Sequence, residues 1–140
     1  MADVTKLVTV YKVATANIRD VLFEGEVGNF YEGATIKIPL SNSYKEYDIL
    51  GFYLRQRWGD GIRFIYREIP TEILNELINS NSSNNTVSFC WGYSNSGDFF
   101  DIQTSSTDNE LTVILYTSLC TKIVGIKYVT VGTLIDDNNT

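Results

Sequence analysis

Apolar residues in this chain recur at every second position over short stretches, and clusters of Gly, Asn, Ser and Asp cut the stretches apart. That period places one set of side chains on one face of an extended backbone and the next set on the other, so the chain reads as half-buried β-strands. The clearest case is Ala34 to Leu40, where Ala34, Ile36, Ile38 and Leu40 face one way and Thr35, Lys37 and Pro39 the other. Pro39 has no N–H for a ladder, so this strand ends there or lies at an edge. Asp48 to Arg57 carries Leu50, Phe52 and Leu54 on its inner face. Trp58-Gly59-Asp60-Gly61 turns the chain, and Ile62, Phe64 and Tyr66 are expected to continue that face on the way back.

Further strands are expected over Val21 to Val27, Thr86 to Tyr93, Phe99 to Thr104, Leu111 to Ser118 and Thr121 to Val131. Lys6 to Ala14 reads as a first strand or an extended arm, ended by Asn17-Ile18-Arg19-Asp20. One helix is expected over Thr71 to Asn79, because Ile73, Leu74, Leu77 and Ile78 form one apolar stripe with Glu72 and Glu76 outside. The polar run from Asn79 to Asn85 is a surface loop. These signals predict an all-β fold, an antiparallel β-sandwich (jelly-roll or Ig-like) with one short helix, and a closed barrel as the alternative. Three segments follow: 1–20 as N-terminal arm or first strand, 21–135 as the sandwich module, and 136–140 as a disordered tail. The expected core is Leu22, Ile36, Ile38, Leu50, Phe52, Leu54, Phe64, Phe89, Trp91, Val113, Leu115, Val124 and Ile126.

Composition narrows function more than fold. The chain has no His, which removes Ser-His-Asp triads, Cys-His dyads and His-based zinc sites. Glu24 and Glu26 share a strand face, but a glycosidase needs two carboxylates across a cleft, about 5 to 10 Å apart. Asp98 and Asp101 lack the spacing of an EF-hand loop, and there is no phosphate-cradling glycine loop. The expectation is a non-enzymatic protein with no catalytic residue, no cofactor and no metal. A net charge of -6 argues against a nucleic-acid partner, and no run of eighteen apolar residues predicts membrane insertion. Cys90 and Cys120 are expected to be unpaired, reduced thiols, with Cys120 in a short connection.

Candidate contact residues come from unusual placement. Arg55, Arg57, Arg63 and Arg67 are expected on one outward face of the hairpin, where they would grip a carboxylate or phosphate of a surface polymer or of a neighbouring subunit. Trp58 at the hairpin tip and Tyr31 in a Gly-bracketed turn are candidates to stack on a sugar or enter a protein partner. Val4, Leu7, Val8, Val10, Tyr11 and Val13 are apolar on both faces of an extended segment, which calls for cover on both sides. They are read as an attachment arm packed on another copy or another protein, or as a fully buried strand of the same domain.

The stretch Val21 to Leu54, VLFEGEVGNFYEGATIKIPLSNSYKEYDILGFYL, resembles the opening of the small β-rich modules of phage tail and head fibre proteins. The shared pieces are Val21-Leu22-Phe23-Glu24-Gly25, the glycine turn, Thr35-Ile36-Lys37-Ile38-Pro39-Leu40, the Tyr47-Asp48-Ile49-Leu50 step, and Ile123-Val124-Gly125-Ile126-Lys127-Tyr128. The likeness spans Val21 to Val129. It implies a structural protein of a tailed-phage virion, assembled in the host cytoplasm: a fibre, tail-tip or capsid-decoration subunit. The partners it implies are other virion proteins, further copies of the chain (a trimer favoured) and a host surface polysaccharide. No shaft or coiled coil accompanies the module here, so the resemblance implies a short virion protein whose N-terminal segment docks it. The alternative is a stand-alone, lectin-like carbohydrate-binding module.

Overall fold

A computed structural model describes residues 10–90 and 99–135; the side chains of 10–15, 58, 89, 90, 99 and 131–135 lie outside that description. Eight strands and one helix follow in the order β1 (Val10–Gly28), β2 (Gly33–Pro39), β3 (Ile49–Trp58), β4 (Gly61–Pro70), α1 (Thr71–Ile78), β5 (Thr86–Cys90), β6 (Phe99–Gln103), β7 (Glu110–Tyr116) and β8 (Ser118–Ile135). The strands form two four-stranded antiparallel sheets, ordered β1-β8-β3-β4 and β2-β7-β6-β5. The expected sandwich is therefore the fold. First pairs with last (β1 with β8) and second with next to last (β2 with β7), the nesting of a jelly roll. Consecutive strands pair instead at β3–β4, β5–β6 and β6–β7.

The core lies between the sheets. Leu22, Leu50, Phe52, Leu54, Ile65, Ile69, Cys120 and Ile123 come from the first sheet, and Ile38, Phe100, Ile102, Leu111, Val113 and Leu115 from the second. Phe52 and Phe100 meet across the gap with ring centroids 5.0 Å apart and planes tilted by 54°, the offset geometry that aromatic quadrupoles favour. Leu74 and Leu77 of α1 close one end. Tyr44 and Tyr47, around a short 3₁₀ turn over Tyr44–Glu46, help to close it. Their hydroxyls are not stranded: Tyr44 donates to Asn75 Oδ1 at 2.8 Å and Tyr47 to Asp20 at 2.7 Å. Burial, the largest cause in both, raises the pKa of each phenol. The Tyr47 ring occupies the space that a side chain at Gly125 would need.

Three expectations need correction. Asn17 to Asp20 does not break the first strand; β1 runs through it and stays paired with β8 from Arg19↔Ile126 out to Val10↔Ile135. Cys120 sits inside β8, buried beside Leu54, and not in a connection. Phe64 is not core but 73% exposed. The cause is the hairpin turn. Two residues, Gly59 and Asp60, connect the strands, with Gly59 at φ 59°, so Trp58 pairs with Gly61 and even-numbered residues of β3 face odd-numbered residues of β4. Ile65 and Ile69 therefore enter the core, and Ile62, Phe64 and Tyr66 turn outward. Phe89 is described by its backbone only, and Trp91 and the 136–140 tail lie outside the described residues.

Candidate functional site

The corrected register splits the four arginines. Arg55 and Arg57 share the outer face of the first sheet with Tyr53, Ile62, Phe64 and Tyr66, while Arg63 and Arg67 lie opposite Gln56 and Phe52 on the other face of the hairpin. No single patch holds all four. Arg67 donates to the Tyr66 carbonyl at 2.9 Å, which ties it to its own strand.

The outer face is organised by cross-strand rows, because hydrogen-bonded partners place their side chains on the same side of a sheet. One row runs Glu24–Lys122–Tyr53–Tyr66 across β1, β8, β3 and β4. The next runs Leu119–Arg55–Phe64. Cation and ring alternate within them: Lys122 Nζ lies 5.4 Å from the Tyr53 ring centroid, and the Arg55 guanidinium 5.2 Å from that of Phe64. The Tyr53 and Tyr66 rings meet at 4.8 Å. Arg19 reaches both phenolic oxygens at 3.4 Å, and the Tyr66 hydroxyl donates to Glu68 at 3.1 Å. The Arg19 pKa is raised, first by its bond to Tyr66; the Tyr66 pKa is raised chiefly by burial. Gly51 makes this stack possible, because a Cβ there would collide with the Tyr66 hydroxyl.

Between these side chains lie two adjoining hollows. One, of about 490 Å³, is lined by Glu24, Gly25, Glu26, Tyr53, Arg55, Thr121 and Lys122. The second, of about 300 Å³, adds Phe64 and Tyr66 and shares Tyr53, Arg55 and Thr121 with the first. Together they form a groove open to solvent. Glu24 and Glu26, a strand-face pair in the sequence, thus stand on the rim of a charged aromatic groove. No group of three His, Cys, Asp or Glu side chains suited to a metal ion occurs among the described residues.

Tyr31 lies at the same end of the molecule as the β3–β4 turn. Its ring is 71% exposed and carries the Arg57 guanidinium at 4.9 Å, and its N–H is held by Asn29 Oδ1 at 2.7 Å. Trp58, described by its backbone alone, is the next residue after Arg57. Tyr31 and Arg57 are therefore brought together, with Arg55 two residues further along β3. The attachment segment divides differently. Val4, Leu7 and Val8 lie outside the described residues, while Val10, Tyr11 and Val13 have their backbone in β1, opposite Ile135, Leu134 and Gly132. Beyond Ile126, β8 loses its β3 neighbour and pairs with β1 alone among the described residues. Exposed Ile18 (45%) and Tyr128 (46%) mark the base of that two-stranded ribbon.

Lys122, Tyr53 and Tyr66 are not among the contact residues that the sequence marks out, and its alternation places Phe64 in the core. The missed signal was the length of the turn, which alone decides which face of β4 meets the core. No protein-family model matches the chain, and no curated protein matches it.

Proposed function

We propose that the chain is a non-enzymatic structural subunit of a tailed-phage virion: a fibre, tail-tip or capsid-decoration protein that assembles with its own copies, a trimer favoured, and with other virion proteins in the host cytoplasm. The observation that carries this reading is the ribbon. From Val10 to Ile18 and from Lys127 to Ile135, β1 and β8 pair only with each other among the described residues. A two-stranded ribbon is marginal in water by itself, and among the described residues no strand pairs with the second edge of β1, where another chain can add one. Cover by a neighbouring polypeptide resolves both problems, and assembly into a particle provides it. The resemblance of Val21 to Val129 to fibre modules supplies the phage setting.

A second reading, a stand-alone carbohydrate-binding module, draws support from the aromatic groove. Peptide mass spectrometry of purified phage particles, with sedimentation of the isolated protein, separates the two. The virion reading expects the chain in particles and a concentration-stable oligomer. It also expects a variant lacking residues 1–16 to stay folded, because β1 from Asn17 onward keeps its β8 partners, and to lose assembly. Absence from particles, together with a monomer at tens of micromolar, would favour the stand-alone module.

A further inference from the structure

We propose that the groove on the outer face of the first sheet binds a carboxylated sugar unit, a hexuronate of an acidic polysaccharide. The proposal goes beyond the virion reading above, to the host surface polysaccharide that the fibre resemblance implies, and rests on that reading for its biological setting alone. Its physical basis is a set of side chains whose interactions are incomplete. Arg55 and Lys122 make no ion pair among the described residues, although Glu24 stands directly opposite Lys122 in register. Each cation is instead held over a ring, Phe64 or Tyr53, which fixes its position and leaves its N–H donors free for an acceptor from solvent. Phe64 is 73% exposed in the middle of a strand. Among the described residues the Arg55 guanidinium lies over this ring, which remains largely open to solvent as an apolar plate.

The two ends of the groove differ in charge, and the difference selects a ligand class. Glu24 and Glu26 line the first hollow beside Arg55 and Lys122, whereas Phe64 and Tyr66 line the second. A ligand with dense negative charge, such as a polyphosphate or nucleic acid, would meet the two carboxylates as repulsion. A neutral sugar would leave both cations unpaired. A hexuronate carries one carboxylate per ring for Arg55 and Lys122, hydroxyls that donate to Glu24 and Glu26, and a C–H face that packs on Phe64. The rings are also set in advance: Arg19 bridges the Tyr53 and Tyr66 hydroxyls and Glu68 accepts from Tyr66, so little order is lost on binding. Each hollow lies within or near the range of about 300–1,000 Å³ usual for small-molecule sites, and their continuity suits a chain running across the sheet.

The test is calorimetric titration of the full chain with three probes: polygalacturonate oligosaccharides, dextran oligosaccharides as the uncharged sugar, and poly-L-glutamate as the carboxylate polymer without sugar. Polygalacturonate should bind, with the other two at least about tenfold weaker. Phe64→Ala and Arg55→Gln should each weaken polygalacturonate binding by about tenfold or more, while Lys37→Gln on the opposite sheet, which removes the same charge, leaves it unchanged. Circular dichroism and thermal melting confirm that each variant is folded. No binding of polygalacturonate, equal binding of dextran or polyglutamate, or undiminished binding by either groove variant overturns the proposal. The virion reading fails on a different observation, absence from particles, so the two stand or fall separately.

Discussion

Strand β3 gives its two faces different work. Leu50, Phe52 and Leu54 point inward and are fully buried, while Tyr53, Arg55 and Arg57 point outward into rows of rings and cations. Burial of a large apolar side chain is worth about 1.5–3 kcal/mol, whereas an exposed cross-strand pair contributes roughly 0.2–1 kcal/mol. Along β3 the inner face therefore contributes more to the fold than Tyr53, Arg55 and Arg57, which are free to change at small cost. This freedom lets a β-sandwich carry a binding surface on one sheet while the core stays fixed.

Replacing Phe52 by Ala breaks the comparison at its strongest point. The ring is fully buried against Phe100, and its removal should cost about 3–5 kcal/mol, read as a fall in the urea midpoint. A cost below about 1 kcal/mol would mean that the inner and outer faces of β3 are interchanged. Gly125→Ala ranks next. Gly125 shares the inner side with Leu50, and a Cβ there would drive into the Tyr47 ring. Overpacking of this kind costs about 1–3 kcal/mol. A variant as stable as the parent would show that Tyr47 can leave its place at no cost.

The inner face of β3 was readable in the sequence because its alternation is clean: Leu50, Phe52 and Leu54 against Tyr53, Arg55 and Arg57. The same holds for Ile36 and Ile38 in β2, where burial follows parity, and for the apolar Leu111, Val113 and Leu115 in β7, although Thr112 between them is buried too. Strand β4 was not readable in this way. Ile62, Phe64 and Tyr66 compete with Ile65 and Ile69, so both faces are apolar and hydrophobicity cannot choose between them. Turn length makes the choice, and a slip of one residue inverts every side chain. The same slip scatters the arginines and hides the groove, since alternation alone places Phe64 in the core and turns Tyr66 to the inner face. The outer aromatic rows were hidden for a second reason. They join residues as distant in sequence as Glu24, Tyr53 and Lys122, and sheet order alone brings these together.

Cys120 adds a pH axis to the inner face. Burial pushes its thiol up to about 12, against about 8.5 in an unfolded chain. The folded value is the higher one, so this contribution to stability is fully present at neutral pH and is lost as pH rises from about 8.5 towards 12. Urea titrations at pH 8 and pH 10 should show the parent losing about 1–2 kcal/mol more than Cys120→Ala over that interval. Equal losses in the two proteins would mean that the thiol is not sealed between the sheets. The thiol should also resist alkylation at pH 8 until the protein is unfolded.

The smallest expected effect sharpens the comparison most, because it concerns the same residue type a short distance away. Phe64→Ala should change stability by less than about 1 kcal/mol. With the ring 73% exposed, little apolar surface returns to water, and the contact with Arg55 at 5.2 Å is an exposed cation–π pair worth about 0.5–1 kcal/mol. Paired with Phe52→Ala, the variant measures how far a phenylalanine on one sheet face differs from a phenylalanine on the other. A loss above about 2 kcal/mol would place it among the buried-core deletions, and the ring must then be covered in solution. Protein concentration identifies the cover. If the excess loss disappears on dilution, a second copy lies across the groove, and a polysaccharide would have to displace it. If the loss is independent of concentration, the outer face belongs to the core of its own chain, and the division of labour along β3 does not hold.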